Sequence, residues 1–163
     1  MGDEALTHFD KDGRARMVDV SGKSSTKRIA IAEGRVLMND ATFRLAQSGM
    51  AEKGDVRAVS EIAGVMAAKR TADLVPMCHP LPIDSVHVRI EPLDELSGFH
   101  VLAEVATTGR TGVEMEALTA VSVACLTLYD MLKAADRAMS IEGVRLVSKS
   151  GGASGDFTAD VRD

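Results

Sequence analysis

Residues 107–137 read TTGRTGVEMEALTAVSVACLTLYDMLKAADR, and the shape of this stretch constrains everything around it. From Ala117 to Leu128 it carries no charge, no Gly and no Pro. A helix here is buried on most of its circumference and forms the core of whatever sheet packs on it. Its two ends are ionisable, with Glu114 and Glu116 in the first turns and Asp130 and Lys133 in the last. At ~1.5 Å per residue these ends lie roughly 20 Å apart, so one copy of the helix cannot bring them together. Asp130 and Lys133, at i and i+3, do share a face, and a cation there suits the helix dipole. Any stable helix prefers acids first and bases last, so the charges alone assign no chemistry.

The segments before the helix read as strands. Val86, Val88 and Ile90 alternate with His87, Arg89 and Glu91, and Phe99, Val101, Ala103 and Val105 alternate with His100, Leu102 and Glu104. The polar LDELSG between them is a hairpin loop. Further back, Thr26 to Met38 (TKRIAIAEGRVLM) is apolar and β-branched enough for a strand, with Gly34 as a bulge. Asn39-Asp40 caps a short helix through Gln47. Asp55 caps a second helix ending near Arg70, whose Val56, Val59, Ile62, Ala63 and Met66 keep helical spacing. Ile141 to Val147 gives a last strand. The order strand, helix, helix, strand, strand, helix, strand predicts an α+β fold of the ferredoxin-like kind, an antiparallel sheet with helices packed on one face. The other sheet face carries His87, Arg89, His100 and Glu104 and suits an interface between subunits.

The chain has 163 residues, 45% hydrophobic and 26% charged, which predicts a single domain over 1–163. Residues 1–25 read as an extended N-terminal segment and 149–163 as a flexible Gly/Ser loop and tail. No apolar run reaches ~18 residues without a charge and no signal peptide is evident, so the expectation is a cytoplasmic protein that does not enter a membrane. Cys78 and Cys125 are too few and too differently placed for a disulfide framework and read as reduced thiols. The net charge of −5, with one Tyr, four Phe and no Trp, argues against a nucleic-acid partner and for a small-molecule ligand. Leu74 to Pro82 holds the Cys78-His79 pair in a loop stiffened by three prolines, where His79 is either a structural or a ligand-binding histidine. A metal site is not expected, since no second Cys or His recurs at ligand spacing. The Gly-rich tail after Lys149 could bring backbone N–H groups to phosphate oxygens.

Seven ordered blocks carry a resemblance. They are Met17-Val-Asp-Val-Ser21 with Lys23, Lys53-Gly-Asp-Val56, Ala67-Ala-Lys-Arg-Thr71, Pro76-Met-Cys-His-Pro80, Thr111-Gly-Val-Glu-Met-Glu-Ala-Leu-Thr119, Tyr129-Asp-Met-Leu-Lys133, and Ser150-Gly-Gly with Ser154-Gly-Asp-Phe157. Together they resemble the cyclic pyranopterin monophosphate synthases, the molybdenum cofactor biosynthesis protein C family, over nearly the whole chain. The resemblance implies a lyase that converts cyclised dihydro-GTP to cyclic pyranopterin monophosphate with release of pyrophosphate. It implies no redox cofactor, with Mg at most accompanying the triphosphate, and a hexamer built as a trimer of dimers with shared sites. The family's catalytic positions fall on Lys53, Asp130 and Lys133. Its substrate contacts fall on Met77, Cys78, His79, Met115 and Glu116, with Glu114 and Lys69 beside them and Asp19, Lys23, Arg28 and Lys149 in support. The tail departs from the family pattern, reading Ser150-Gly-Gly-Ala-Ser-Gly155 where the family has Lys at the fourth place. That missing charge keeps a second reading in play, a nucleotide-binding regulatory module of the same fold without turnover.

Overall fold

The computed structural model describes residues 12, 14, 17–49, 54–153 and 155–160. Five strands form one sheet: β1 (Thr26–Leu37), β2 (Ser85–Leu93), β3 (Gly98–Gly109), β4 (Ser140–Ser150) and β5 (Phe157–Thr158). The helices are α1 (Asp40–Gln47), α2 (Val56–Ala68), the short α3 (Thr71–Leu74) and α4 (Glu114–Leu132). The sheet order is β2-β3-β1-β4-β5 with every neighbour antiparallel. Both helical crossovers therefore join strands that run parallel with one strand between them, the split βαβ arrangement of a ferredoxin-like α+β fold.

Strand alternation decides the layers. Ala30, Ala32 and Val36 of β1 and Phe99, Val101, Ala103 and Val105 of β3 point to one face and are essentially inaccessible. Ala117, Ala120, Val121, Ala124 and Leu128 of α4 lie against them at 0% exposure. The length and apolar composition of α4 would suffice to cross a membrane, but this burial makes it the core helix of a sheet. Gly34 itself pairs in register with Val101; the pairing of β1 with β4 slips on both sides of Ala32-Glu33, each time with the extra residue on β4, so the bulges belong to β4 and not to Gly34, where a Cβ would come within 2.9 Å of Val121 on α4. The other sheet face is polar, as expected: Glu33 accepts from Arg145 Nε at 2.7 Å and lies 3.1 Å from His100 Nε2. Burial works to raise the Glu33 pKa, yet the bonds from Arg145 and His100 outweigh it and hold the carboxyl below its ordinary value.

Three further expectations need correction. The helical stretch begins at Glu114, since Thr107 to Gly109 complete β3, where β-branched residues favour a pleated backbone, and the turn at Gly112 intervenes. In α2 the apolar spacing does not mark one buried face. Val59, Ile62 and Met66 are 43%, 60% and 52% exposed, whereas Val56, Ser60, Gly64 and Ala67 are buried. Small residues face α4 because the two axes come close: a Cβ on Gly64 would sit 3.0 Å from the Ala120 carbonyl oxygen. The tail also begins later than its composition suggests. Lys149 and Ser150 belong to β4, paired with Ala30 and Ile29, and Phe157 returns to pair with Lys149.

The edges of the sheet are managed differently. Toward solvent, β2 turns the main-chain groups of Val86, Val88, Ile90 and Pro92, because alternate residues pair with β3. The Ile90 N–H donates to Glu61 Oε1 of α2 at 3.0 Å, and Pro92 has no N–H to offer.

Candidate functional site

Three pieces of chain that are distant in sequence meet at the N-terminal end of α4. They are the extended segment around Val18 and Val20, the proline-stiffened loop from Val75 to Leu81, and the turn from Thr111 into α4. Between them lies a cleft of about 650 Å³. Met77, Cys78, His79, Glu114, Met115 and Glu116 all line it, and so does Lys23. Six candidates from the sequence are thus brought together by the loop and the first helical turn.

The chemistry of this cleft is set by burial. Glu116 is only 4% exposed, and its Oε2 has no hydrogen-bond partner. Desolvation raises its pKa, and the neighbouring Glu114 charge raises it further, so the group keeps its proton to higher pH than an ordinary carboxyl. A protonated carboxyl offers one donor and one acceptor. The Cys78 thiol is also pushed up, by burial first and the Glu116 charge second, which is the opposite of an activated nucleophile. Cys125 lies inside the core, where burial pushes its thiol to about 12, and it is inert. Asp19 behaves in the other sense. The Ser21 backbone N–H donates to it at 2.8 Å, and this bond, with the Ser21 side chain and the His79 charge, holds its carboxyl below the usual value.

A second, smaller cavity of about 190 Å³ adjoins the first, sharing Lys23, Thr111, Gly112 and Glu114 with it. Arg28, Arg110 and Lys149 complete a lining with four cations and one carboxylate, Glu114, whose Oε1 lies 3.6 Å from Lys149 Nζ. Gly112 leaves room for the Glu114 carboxylate to fold over it, and a Cβ there would displace that carboxylate. The two cavities form a continuous trough, apolar with a buried acid at one end and cationic at the other. That polarity fits a flat heterocycle carrying phosphates.

The remaining candidates lie elsewhere. Lys69 caps the C-terminus of α2 and faces a separate groove with Val65, Ile83 and Val86, beyond Leu81. Asp130 and Lys133 form an ion pair of 2.5 Å at the opposite end of α4, both about half exposed. The fourteen-residue offset from Glu116 corresponds to ~21 Å of helix, so one chain does not bring them to the trough. Lys53 lies outside the described residues. Ala153 is exposed, two residues beyond Gly151, the last tail residue that lines the cationic end. No group of three metal-ligating side chains occurs among the described residues. Sequence reasoning missed Arg110, Val18 and Val20. The signal for Arg110 was available: a cation in the run Gly109-Arg110-Thr111-Gly112 just before a helix N-terminus, a place suited to anions.

Known proteins match this chain along almost all of it. The profile of the MoaC family covers residues 17–152. A cyclic pyranopterin monophosphate synthase of Methylobacterium sp. (strain 4-46) is 59% identical over 156 residues, 96% of this chain and 98% of that relative. A protein of the same description from Cereibacter sphaeroides (strain KD131) is 58% identical over 154 residues, 94% of this chain and 97% of the relative.

Proposed function

Because the chain belongs to the MoaC family, we infer that its trough is the substrate site of the family's reaction. The chain is a lyase of molybdenum cofactor biosynthesis that processes a nucleotide-derived substrate, converting cyclised dihydro-GTP to cyclic pyranopterin monophosphate with release of pyrophosphate. The observation that carries the site assignment is the polarity of the trough. Its buried Glu116 end suits the edge of a purine-derived base, and its Lys23, Arg28, Arg110 and Lys149 end suits the triphosphate.

In this reading Glu114, Glu116 and the Met77-Cys78-His79 loop recognise the base, and Asp19 steadies His79. Lys53, Asp130 and Lys133 move protons on the rearranging ring. Asp130 and Lys133 come from a second subunit, because α4 separates them from Glu116 of their own chain. The exposed Val59, Ile62 and Met66 of α2 and Leu126 of α4 give a helix-layer surface suited to burial against a neighbour, which supports an oligomer. A hexamer arranged as a trimer of dimers, located in the cytoplasm, completes the proposal, with Lys69 close to a subunit junction. The chemistry is acid–base throughout and uses no resident cofactor, Mg serving only as a companion of the triphosphate. No observation favours the non-catalytic binding module.

Incubation with cyclised dihydro-GTP tests the reading. Release of pyrophosphate together with the cyclic monophosphate is expected, and its loss in Lys53→Ala and in Asp130→Ala with the fold preserved. Saturable binding without product in the unsubstituted chain would replace the enzyme by the module.

A further inference from the structure

The tail after β4 crosses the outer end of β1, and two glycines make that crossing possible. Gly151 and Gly152 have φ angles of +89° and +86°. A Cβ on Gly151 would strike the Lys27 carbonyl oxygen, and one on Gly152 would overlap Nη1 of Arg28. The bare Cα of Gly152 is therefore the surface against which the Arg28 guanidinium lies. The tail is fixed in that place from the other side, where Asp156 Oδ1 accepts from the Gly151 N–H at 3.0 Å. The same guanidinium donates from Nε to the Gly109 carbonyl at 3.0 Å and from Nη2 to the Arg110 carbonyl at 3.2 Å. Those two carbonyls end β3 and open the turn that carries Thr111, Gly112 and Glu114 into the trough.

We propose that Gly152 is a positioning residue, seating the Arg28 guanidinium so that it grips Gly109 and Arg110 and thereby holds the Thr111–Glu114 turn at the substrate site. The proposal rests on the trough being that site. A guanidinium is planar and rigid, so its two donors reach the two carbonyls only while the whole fork lies in one plane. An atom added at Gly152 tilts the fork and loosens both bonds at once. The turn then moves, and Glu114 moves with it, away from Lys149. In this arrangement Arg28 works through the turn. A role limited to touching phosphate would leave the fit between Gly152 and its guanidinium without function.

Four variants test this: Gly152→Ala, Arg28→Ala, the two combined, and Gly155→Ala. The last is the control, since Gly155 has φ +70° and nothing within 4 Å of a Cβ, so it adds similar backbone strain without the overlap. Gly152→Ala is expected to raise KM roughly tenfold and to change kcat less than about threefold, because the proton-moving groups lie elsewhere. The combined variant should be no worse than Arg28→Ala alone, as two residues acting through one contact are not additive. Amide hydrogen exchange at Thr111 to Val113 should quicken in Gly152→Ala and Arg28→Ala and stay unchanged in Gly155→Ala. Should Gly152→Ala not fold, Arg28→Lys carries the test: it keeps the charge and loses the paired donors, so the turn's exchange must still quicken. Multiplying KM effects, or a turn whose exchange ignores these substitutions, would overturn the proposal. Absence of turnover in the unsubstituted chain would refute the proposed function instead, and the exchange measurement would still decide the role of Gly152.

Discussion

Glu116 sits in the core-facing first turn of α4 with its carboxyl enclosed, and its raised pKa has a consequence for stability. The folded chain binds the Glu116 proton more tightly than the unfolded chain, where the ordinary value of 4.5 applies. Stability is thus lost as pH rises from that value through the raised one, the reverse of a salt-bridged carboxylate. Glu116→Gln removes the titration while keeping the shape. The variant should gain stability over the unsubstituted chain as pH rises above 4.5, read from urea midpoints across a pH series. Parallel pH profiles would show that Glu116 does not titrate in this range. Near the cationic end of the trough, Ala153 stands two residues after Gly151 of the lining, where the family pattern has Lys. Ala153→Lys should raise kcat/KM severalfold by adding a cation near the phosphates, worth about 1 kcal/mol for a partly exposed charge pair. An unchanged or lower value would mean that Lys23, Arg28, Arg110 and Lys149 already suffice.

Among the elements, the crossing of α2 over α4 rests on Gly64, whose hydrogen faces the Ala120 carbonyl and the Val88 methyls. Gly64→Val must force the helices apart and should cost ~1–3 kcal/mol, visible as a lower Tm with turnover kept in the cold. An unchanged Tm would show that α2 can rotate away freely. This crossing also explains what could be read from sequence. The strands were legible because their apolar residues alternate, and α4 because its apolar run from Ala117 to Leu128 is unbroken. The buried face of α2 was not, since Gly64, Ser60 and Ala67 carry no hydrophobic signal, while Val59, Ile62 and Met66 carry a strong one and face outward. The Met77–His79 loop and the Glu114–Glu116 turn were legible as parts of one site through the family resemblance. Physical reading alone could not have joined them, for only the fold brings residues 18–23, 75–81 and 110–116 side by side. The ordering of Lys149 was hidden for a related reason: Gly-rich composition reports backbone freedom, and the partner strand β1 removes it.

For the molecule as a whole, α4 acts as a spacer that keeps Glu116 and Asp130 ~21 Å apart. A shared site across a two-fold axis predicts that Glu116→Ala and Asp130→Ala subunits, each inactive alone, complement each other after dissociation and reassociation. In mixed dimers one of the two sites keeps both residues, so a random mixture should recover roughly a quarter of the unsubstituted activity. A mixture as inactive as its parents, with subunit exchange demonstrated, would confine each site to one chain. The β2 edge bears on a different hazard, the one a protein meets while many copies are being made at once. A stray strand approaching that edge finds the Ile90 N–H already occupied by Glu61 and no N–H at Pro92. Of the N–H groups on that side those of Val86 and Val88 remain, so an incoming strand meets a broken row of donors. Fibre growth is thereby discouraged along β2, one donor being held by Glu61 and one missing at Pro92.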